Sequence, residues 1–457
     1  MVFGRFSIWS YAFMRLILPI PPTAIFFLCA LAIPNPSATA DDGGWTQFRG
    51  PTGEGLANVK LPTELTNKKN HVWSTSTSGV GWSSPVVSNG QVWFTSAVTK
   101  EATPEQIAAK LAGVQFAQIK TMAQSVEFHA ICLDLSTGKL LHDKVLAIDD
   151  NPAPINPMNS YASPTPAIFG DKVICHFGNY GTWCLNTKTC ETIWSTKLIV
   201  DHSVGPGSSP IVFGNKVILV CDGIDQQYVA AVNLQDGRTA WKTNRPQIRA
   251  SNGEFRKAYS TPLIIPIHGR PQAVIPGAQW TVAYDPDNGD EIWRADCGDG
   301  FSTTPMAIFE SGLIVMSTGY TKPEFVAIRP DGKGDVSKTH IAWRASKGAP
   351  TMSSAVARDG DMFAMNDTGI LTRYDVSNGQ EKARHRIGGN FSASPILAGE
   401  HLYFSDRKGM MTVVKIDNEL TVVSTNDFGS PILASPAVIE NDLIVRTEAE
   451  IIRITSR

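Results

Sequence analysis

The sequence predicts an all-β fold, an eight-bladed β-propeller whose blades are four-stranded antiparallel sheets. The main observation is a phrase that recurs eight times: a small residue with a proline, an apolar strand, a Gly turn, a second strand, then Asp-x-x-x-Gly and Trp. Successive phrases mostly start about 40 to 52 residues apart, a period typical of propellers and solenoids. The phrases begin at Ser84, Ser163, Ser209, Thr261, Thr304, Ser354, Ser394 and Ser435.

The third repeat shows the predicted unit most clearly. Short apolar runs occupy 210–213, 216–221, 228–234 and 239–241, and Gly, Asn and Asp turns separate them. Such runs are typical of antiparallel strands joined by hairpins. In the last turn of a repeat the Asp side chain caps the turn, while Gly takes a positive φ without steric cost. Cys190 stands where this Gly is expected, so we hypothesise a compensating disulfide to Cys184 or Cys175.

Tryptophans mark the outermost strand of the repeats and predict how the ring closes. Trp194, Trp241, Trp293 and Trp343 are large enough to fill the wedge between neighbouring blades. Val72-Trp73-Ser74-Thr75 copies Ile193-Trp194-Ser195-Thr196, yet no earlier strands precede it, whereas the last repeat has only three strands. We therefore expect the segment around Trp73 to complete the last blade, so that the N- and C-terminal segments pair and no sheet edge is left free.

The first forty residues indicate a secretory signal peptide. Arg5 and Arg15 precede an apolar stretch at 16–33, and Ala38-Thr39-Ala40 offers a small-residue cleavage site. Prolines inside the stretch argue against the alternative, an uncleaved membrane anchor. We expect residues 1–40 to be the signal and 41–457 to be a single propeller domain without a membrane span, periplasmic or extracellular.

One segment interrupts the first repeat, at about 101–125. Thr103-Pro104-Glu105-Gln106 has the pattern of a helix start, with Thr as N-cap, Pro at the first position and Gln at the third. The predicted helix is either a lid or partner-docking element, or a helix that simply lies on the propeller.

Composition excludes several function classes. The formal net charge is -2 and no basic run occurs, so nucleic acid is not an expected partner. Six of the seven cysteines follow residue 40, none in a C-x-x-C, haem or zinc spacing. No hydrolase elbow, P-loop or His-Glu-x-x-His is present, so we predict no catalytic residue and no metal ligand. We expect a monomer.

A binding site is expected where loops converge on one face of the ring, because strands form the scaffold and loops carry the variable chemistry. Arg256 and Arg407 are the candidates for contact with an anion or carboxylate, and Trp280 is the candidate stacking surface. Loops that enter the first strands add Asn156, Asn159, His202 and Asp299 on the same face. The predicted ligand-binding residues are Asn179, Tyr180, Asp222, Arg256, Gln279, Trp280, Asn366, Asp406 and Arg407.

These residues together resemble the PQQ-repeat (pyrroloquinoline-quinone-like) β-propeller family, and in particular its BamB-like secreted bacterial members. The family repeat reads Ala/Tyr-x-Asp-x-x-Thr-Gly-x-x-x-Trp, and 283–293 and 130–138 match it well. The segment Trp45 to Gly55 is similar to the opening of many secreted propellers of this family. The repeat specifies the fold far better than the function, because its positions serve strands, turns and packing.

The resemblance implies two alternative functions. One is a non-catalytic binding or scaffold propeller of the bacterial cell envelope, which binds a protein partner or a small polar ligand and needs no cofactor. The other is a PQQ- and calcium-dependent dehydrogenase of alcohols or sugars, in which Asp222 and Asp406 would hold the calcium. Such dehydrogenases stack a disulfide of two adjacent cysteines on the quinone, and no two cysteines are adjacent here. We therefore expect the binding propeller.

Overall fold

The computed structural model describes Met1 and residues 44–456, so the expected signal peptide lies outside the described residues. The chain forms eight antiparallel sheets of the same strand order, and this confirms the predicted eight-bladed β-propeller. In blades 1 to 7 the strands follow one another along the chain, and each pairs with the next.

The strand bounds of the first four blades are as follows, in chain order. Blade 1 has Val86–Ser88, Gln91–Glu101, Ala123–Asp134 and Leu140–Asp149; blade 2 has Ala167–Phe169, Lys172–His176, Thr182–Asn186 and Thr192–Thr196. Blade 3 has Ile211–Phe213, Lys216–Asp222, Gln227–Asn233 and Thr239–Asn244; blade 4 has Leu263–Ile267, Arg270–Pro276, Trp280–Tyr284 and Glu291–Asp296.

The remaining blades continue in the same order. Blade 5 has Ile308–Glu310, Leu313–Ser317, Phe325–Ile328 and Ile341–Ala345; blade 6 has Val356–Arg358, Asp361–Met365, Ile370–Asp375 and Glu381–Arg386. Blade 7 has Ile396–Ala398, His401–Ser405, Met410–Lys415 and Val422–Asp427; blade 8 has Ala437–Ile439, Asp442–Arg446, Glu450–Ile454 and, as its outer strand, His71–Ser76. Two-residue strands, Leu56–Ala57 and Gly334–Asp335, add in parallel to the first strand of blade 7 and the outer strand of blade 4.

The ring closes as predicted, by pairing of the two ends of the chain. The strand His71–Ser76 is antiparallel to Glu450–Ile454, with Trp73 opposite Arg453. A second tie crosses the seam between blades 8 and 1, where the Arg446 guanidinium donates to the Ser83 and Thr95 carbonyls at 2.9 Å. The N-terminal strand therefore covers the edge that Glu450–Ile454 would otherwise leave unpaired.

Four of the blade seams share one contact, in which an outer-strand tryptophan packs on the turn glycine of the next blade. The pairs are Trp73 with Gly138, Trp194 with Gly237, Trp241 with Gly289 and Trp343 with Gly379; a Cβ on each glycine would lie 2.5 to 2.6 Å from the indole. Each indole N–H donates to a carbonyl in the same turn, at 2.7 to 3.2 Å. The glycine is therefore needed for the close approach as well as for its positive φ.

Two seams differ from this arrangement, with a residue smaller than tryptophan on the strand and a residue larger than glycine in the turn. Cys190 occupies the turn position with φ 58°, and His142 takes the strand position of the tryptophan, opposite Cys132. Leu420 occupies the other such turn with φ 57° and packs with Ala383. All six cysteines of the described chain are free and buried, so the hypothesised disulfide of Cys190 to Cys184 or Cys175 is wrong. Instead, the extra volume of the turn residue is compensated by a strand residue smaller than tryptophan.

The repeat phrase sets the start of the first strand, with a shift in two blades. In six blades the strand begins two residues after the small residue, as at Ser209 and Ile211. In blades 2 and 5 the expected starts at Ser163 and Thr304 are two residues early, because the strands begin at Ala167 and Ile308. Thr165 and Met306 therefore hold the equivalent position in these blades.

The insertion in blade 1 contains the helix Pro104–Leu111, which begins as the sequence predicts. The Thr103 side chain accepts from the backbone N–H of Gln106, and the Gln106 side chain accepts from the backbone N–H of Thr103. Short 3-10 helices occupy Lys68–Asn70, Ala117–Ile119, Gly178–Tyr180 and Gly253–Phe255. Among the described residues no helix has the length and apolar character that crossing a membrane requires.

The segment before the first blade runs across the centre of the ring. Its residues contact opposite sides in turn: the Thr46 carbonyl accepts from Ile168 of blade 2 at 2.8 Å, and the Arg49 guanidinium donates to Ala355 of blade 6 at 2.6 Å. Between these contacts Phe48 reaches the central cavity. We call 45–55 the crossing segment. It obstructs one end of the central channel and leaves a cavity that opens at the other.

Candidate functional site

A ring of hydroxyl groups lines the central channel at the start of the first strands. The backbone N–H of one blade donates to the Ser or Thr hydroxyl of the next, at 2.8 to 3.0 Å, in six of the eight seams. One break follows Thr261, because Met306 has no hydroxyl. The other lies between blades 8 and 1, where the buried Ser84 hydroxyl has no hydrogen-bond partner among the described residues. In six blades the Ser or Thr at this position therefore joins its blade to the preceding one.

Above this hydroxyl ring lies a cavity of about 640 Å³, which we call the funnel. Its volume is in the range of natural ligand pockets. All eight blades contribute, mainly through the loops that enter their first strands. The wall includes Phe48, Trp82, Phe116, Asn156, Met158, Asn159, Glu254, Phe255, Lys257, Tyr259, Phe301, Tyr320, Met352, Ser392 and Leu433.

One side of the funnel is a continuous aromatic strip, formed by Phe116, Phe255, Phe301 and Tyr320. Ring centroids along it lie 6.2, 4.8 and 6.3 Å apart, and the rings are tilted against one another. Phe116 comes from the insertion of blade 1, whereas the other three come from loops of blades 4 and 5. Phe255 is 36% exposed, and Met158 across the cavity is 43% exposed. An exposed apolar wall in a concave site indicates a binding surface.

A buried ionic cluster around Glu254 lies next to the aromatic strip. Glu254 is 4% exposed and bonds Lys120 at 2.9 Å, the Ser203 hydroxyl at 2.8 Å and the ammonium of Lys257. Burial alone would raise the pKa of Glu254, but these hydrogen bonds bring it below its usual value. Because Lys120 follows Phe116 and Ile119 in the insertion, the cluster fixes that insertion over the funnel. Glu254 is fully committed to these partners and is not available as a catalytic base.

At the mouth of the funnel, Arg407 makes contacts of an unusual kind. Its guanidinium donates to the Ser392 hydroxyl at 2.6 Å and faces the sulfurs of Met158 and Met352 at 3.0 Å. All three partners line the funnel. Within residues 44–456 no carboxylate forms an ion pair with Arg407. Thioethers are weak acceptors, so much of the hydrogen-bonding capacity of this cation remains unused.

Arg407 contacts lining residues but is not itself part of the funnel lining, and the other predicted ligand-binding residues also lie in loops outside that lining. Asp222 is buried and pairs with Arg245 at 2.7 Å, which occupies the carboxylate. Arg256 donates to the carbonyls of Ala250 and Ser251 in its own loop, at 2.7 and 3.1 Å. Asp406 accepts from the backbone of Lys408 and Met410 at 2.8 and 2.9 Å and shapes the loop that carries Arg407.

The remaining candidates also have local structural contacts. The Tyr180 hydroxyl accepts from the backbone N–H of Ala153 at 3.0 Å, and Asn179 belongs to the same 3-10 turn. The Trp280 indole donates to the Gln247 carbonyl at 3.0 Å, and the Gln279 side chain accepts from the Arg249 backbone at 2.7 Å. The Asn366 side chain accepts from Ile370 N–H at 2.9 Å. A ligand-binding role for these residues stays a prediction.

Sequence reasoning anticipated two residues of the funnel lining but missed most of the wall. Asn156 and Asn159, expected on this face, do line the funnel. The aromatic strip was missed because its members come from an irregular insertion and from loops of two other blades. Its one sequence signal is the exposed-loop placement of Phe116, Phe255 and Phe301, three phenylalanines outside any strand.

The funnel does not match the donor set that a calcium-bound quinone requires. Calcium takes six to eight oxygen ligands, usually several carboxylates. Of the described residues that line the funnel, one is a carboxylate, Glu254, and two lysines neutralise it. Among residues 44–456 no group of three or more His, Cys, Asp or Glu is placed to hold a metal ion. We derive no chemical step through PQQ or calcium.

Comparison with solved structures places the fold among known propellers. BamB from Moraxella catarrhalis superposes with a TM-score of 0.52 at 11% identity, over 74% of this chain and 100% of that one. A quinohemoprotein alcohol dehydrogenase, ADHIIG from Pseudomonas putida HK5, gives 0.61 at 12% identity, over 91% and 80%. The computationally designed protein Ika8 gives 0.53 at 10% identity, over 88% and 99%. At these identities the likeness shows the fold alone.

Sequence comparison is more specific. The BamB of Burkholderia pseudomallei (strain K96243), an outer membrane protein assembly factor, is 24% identical over 315 residues, 62% of this chain and 81% of that protein. The profile of the family described as outer membrane protein assembly factor BamB matches residues 64–277 and 277–421, well over half of the chain. The chain therefore belongs to this family of PQQ-repeat β-propellers.

Proposed function

We propose that this protein is a non-catalytic binding propeller of the bacterial cell envelope, which holds a partner in the funnel. The observation that carries the proposal is the aromatic strip, an exposed apolar wall that covers one side of a concave site. Among residues 44–456, none in the wall combines a nucleophile with a free base, since Glu254 is committed to two lysines. The fold of the family and the envelope relatives support the location.

The test is site-specific photo-crosslinking in the cells that make the protein. A photo-reactive amino acid replaces Phe255 in the funnel or, as the matched control, the exposed His268 in a hairpin turn of blade 4, on the other face of the ring. We expect a discrete envelope-protein adduct from position 255 that is absent from position 268. Phe116→Ala, which shortens the aromatic strip, should weaken it. Equal adducts from both positions, or none, would contradict the proposal.

A second assay distinguishes the binding propeller from the alternative, a PQQ-dependent dehydrogenase. The dehydrogenase ADHIIG shares the fold, so this alternative needs a direct test. The purified protein is mixed with PQQ and calcium, then given alcohols or sugars and an artificial electron acceptor. We expect no dye reduction above a sample without protein, and no quinone absorbance retained after gel filtration. Dye reduction that depends on both cofactors would overturn the binding proposal.

A further inference from the structure

We infer that the funnel recognises the C-terminal end of a polypeptide, with Arg407 binding the terminal carboxylate and the aromatic strip binding apolar final side chains. The inference rests on the proposed function and names the ligand of the same site. It depends on three independent observations: a cation without an acidic partner, an exposed aromatic wall, and two buried polar atoms without partners.

The charge balance of the funnel favours an anion. Glu254 and Lys257 line the funnel, Lys120 pairs with Glu254 behind the wall, and Arg407 contacts the lining residues Met158, Met352 and Ser392. Both lysines are bonded to Glu254, which leaves the Arg407 guanidinium at the mouth as the group free to take a negative charge. A guanidinium offers a planar fork of donors that matches a carboxylate. Its thioether contacts to Met158 and Met352 hold it in place and compete weakly for its N–H groups.

The aromatic strip favours large apolar side chains next to that anion. The strip and Met158 together cover two sides of the cavity. Phe255 and Met158 are partly exposed, so a ligand can contact both side chains. Burying an aromatic side chain against such a wall stabilises a complex in addition to the polar contact. Arg407 and the aromatic strip together therefore favour a ligand that carries one carboxylate next to apolar side chains.

Two unpartnered polar atoms favour a peptide over a simple amphiphile. The Trp82 indole N–H and the Ser84 hydroxyl line the funnel, and neither has a hydrogen-bond partner among residues 44–456. They lie at blade 1, beside the seam where the hydroxyl ring is interrupted. Both atoms are buried, and buried donors without acceptors are costly; a peptide carbonyl that reaches them through a small movement of these side chains would satisfy them. An alkyl chain has no such group.

The experiment measures binding of three probes to the purified protein by calorimetry. The probes are acetyl-Gly-Leu-Phe-Phe with a free C-terminus, the same peptide as its C-terminal amide, and decanoate. We expect the free acid to bind at least tenfold more tightly than the amide and more tightly than decanoate. Equal affinity for acid and amide would overturn the inference, as would decanoate binding as tight as that of the acid.

Variants assign the carboxylate contact to Arg407. Arg407→Gln should weaken the acid about tenfold while leaving the amide unchanged, so that the preference disappears; a purely structural role would weaken both peptides alike. Arg407→Lys should retain part of the preference, and Arg270→Gln, at an exposed hairpin position on the other face, should retain all of it. Trp82→Phe should weaken acid and amide equally. If Arg407→Gln keeps the preference, the assignment is wrong.

The two experiments distinguish failure of the C-terminal inference from failure of the proposed function. If position 255 crosslinks a partner but the peptides show no preference for the free acid, the propeller binds in its funnel and the C-terminal inference fails alone. If neither crosslinking nor peptide binding is observed, both fail.

Discussion

At the scale of single residues, buried polar groups in this propeller mostly have structural partners, and His202 is an exception. It is 6% exposed, and neither ring nitrogen has a hydrogen-bond partner among residues 44–456. Burial lowers its pKa to about 4, and the neighbouring His176 has its pKa lowered to about 3 by the same cause. Both imidazoles are therefore neutral in the folded protein at mildly acidic pH.

This predicts acid sensitivity of the fold. Below pH 6.5 the unfolded chain binds protons at these histidines that the folded chain does not. The free energy of unfolding therefore decreases as the pH is lowered from about 6.5 to about 4. Each such group contributes up to about 1.4 kcal/mol per pH unit in that window. The melting temperature of the protein should fall from pH 7 to pH 5, and His202→Phe should reduce this slope, whereas the exposed His268→Gln should not. Parallel curves for all three proteins would contradict the assignment.

At the scale of the element, the seam between two blades is the unit that the sequence specifies. At four seams a tryptophan on one strand packs on a glycine in the next turn, and at two others a smaller strand residue accompanies a larger turn residue, as at His142 with Cys190 and Ala383 with Leu420. The two positions therefore conserve volume as a pair. A single substitution disturbs the close packing of the seam, and a double substitution restores it.

A double-mutant cycle at the seam of blades 1 and 2 tests this rule. His142→Trp alone should destabilise the fold because the indole meets Cys190, and Cys190→Gly alone should leave a cavity. The double variant recreates the arrangement of Trp194 and Gly237, and should be at least about 1 kcal/mol more stable than the sum of the two single effects predicts. Urea unfolding measures all four proteins. Additive effects would show that the positions do not share a seam.

The free thiols give a second prediction at this scale. The seam already accommodates Cys190 by volume, and all six cysteines of the described chain are buried and free. Burial raises the pKa of Cys184 to about 12 and that of Cys297 to about 11, so neither thiolate forms readily near neutral pH. A thiol assay should therefore find almost no reactive groups in the folded protein and the full set after denaturation without reductant. A lower count after denaturation would restore the disulfide hypothesis.

The sequence repeat predicts the elements of the propeller but not the residues that form the funnel wall. Strands, hairpins and ring closure follow from the repeat, because local turn chemistry at residues such as Asp285 and Gly289 fixes each hairpin independently of the rest. The funnel wall does not, since Phe116, Phe255 and Phe301 are distant in the chain and become neighbours only once the ring closes. Candidates chosen by residue type are already bonded within the protein: Asp222 pairs with Arg245, and Arg256 donates to carbonyls in its own loop.

At the scale of the whole molecule, two features of the N-terminal segment turn an open array of blades into a closed vessel. The crossing segment obstructs one end of the channel, where Arg49, fully buried, donates to the carbonyls of Gly53, Glu54 and Ala355. The strand after it completes blade 8. The funnel depends on both, because its floor includes Phe48 and its wall joins blades 8 and 1 through Leu433 and Trp82.

The closing strand gives the decisive prediction at this scale. Trp73 is 8% exposed, donates to the Leu135 carbonyl at 2.7 Å and packs on Gly138 of blade 1. Trp73→Ala should lower the free energy of unfolding by about 3 to 5 kcal/mol, as for other large core truncations. Trp343→Ala is the matched control, since it removes the same contact at an internal seam where both blades are continuous in the chain.

The two variants should differ in where the ring opens. In Trp343→Ala the neighbouring blades remain joined by a short loop, so local opening is limited. In Trp73→Ala the weakened strand is the one that ties the chain ends, so opening there separates blade 8 from blade 1 and exposes the funnel. Hydrogen exchange should therefore accelerate in 71–76 and 450–454 for Trp73→Ala and not for Trp343→Ala, and peptide binding in the funnel should weaken only in the former. Unchanged unfolding of Trp73→Ala would refute the closure by paired chain ends.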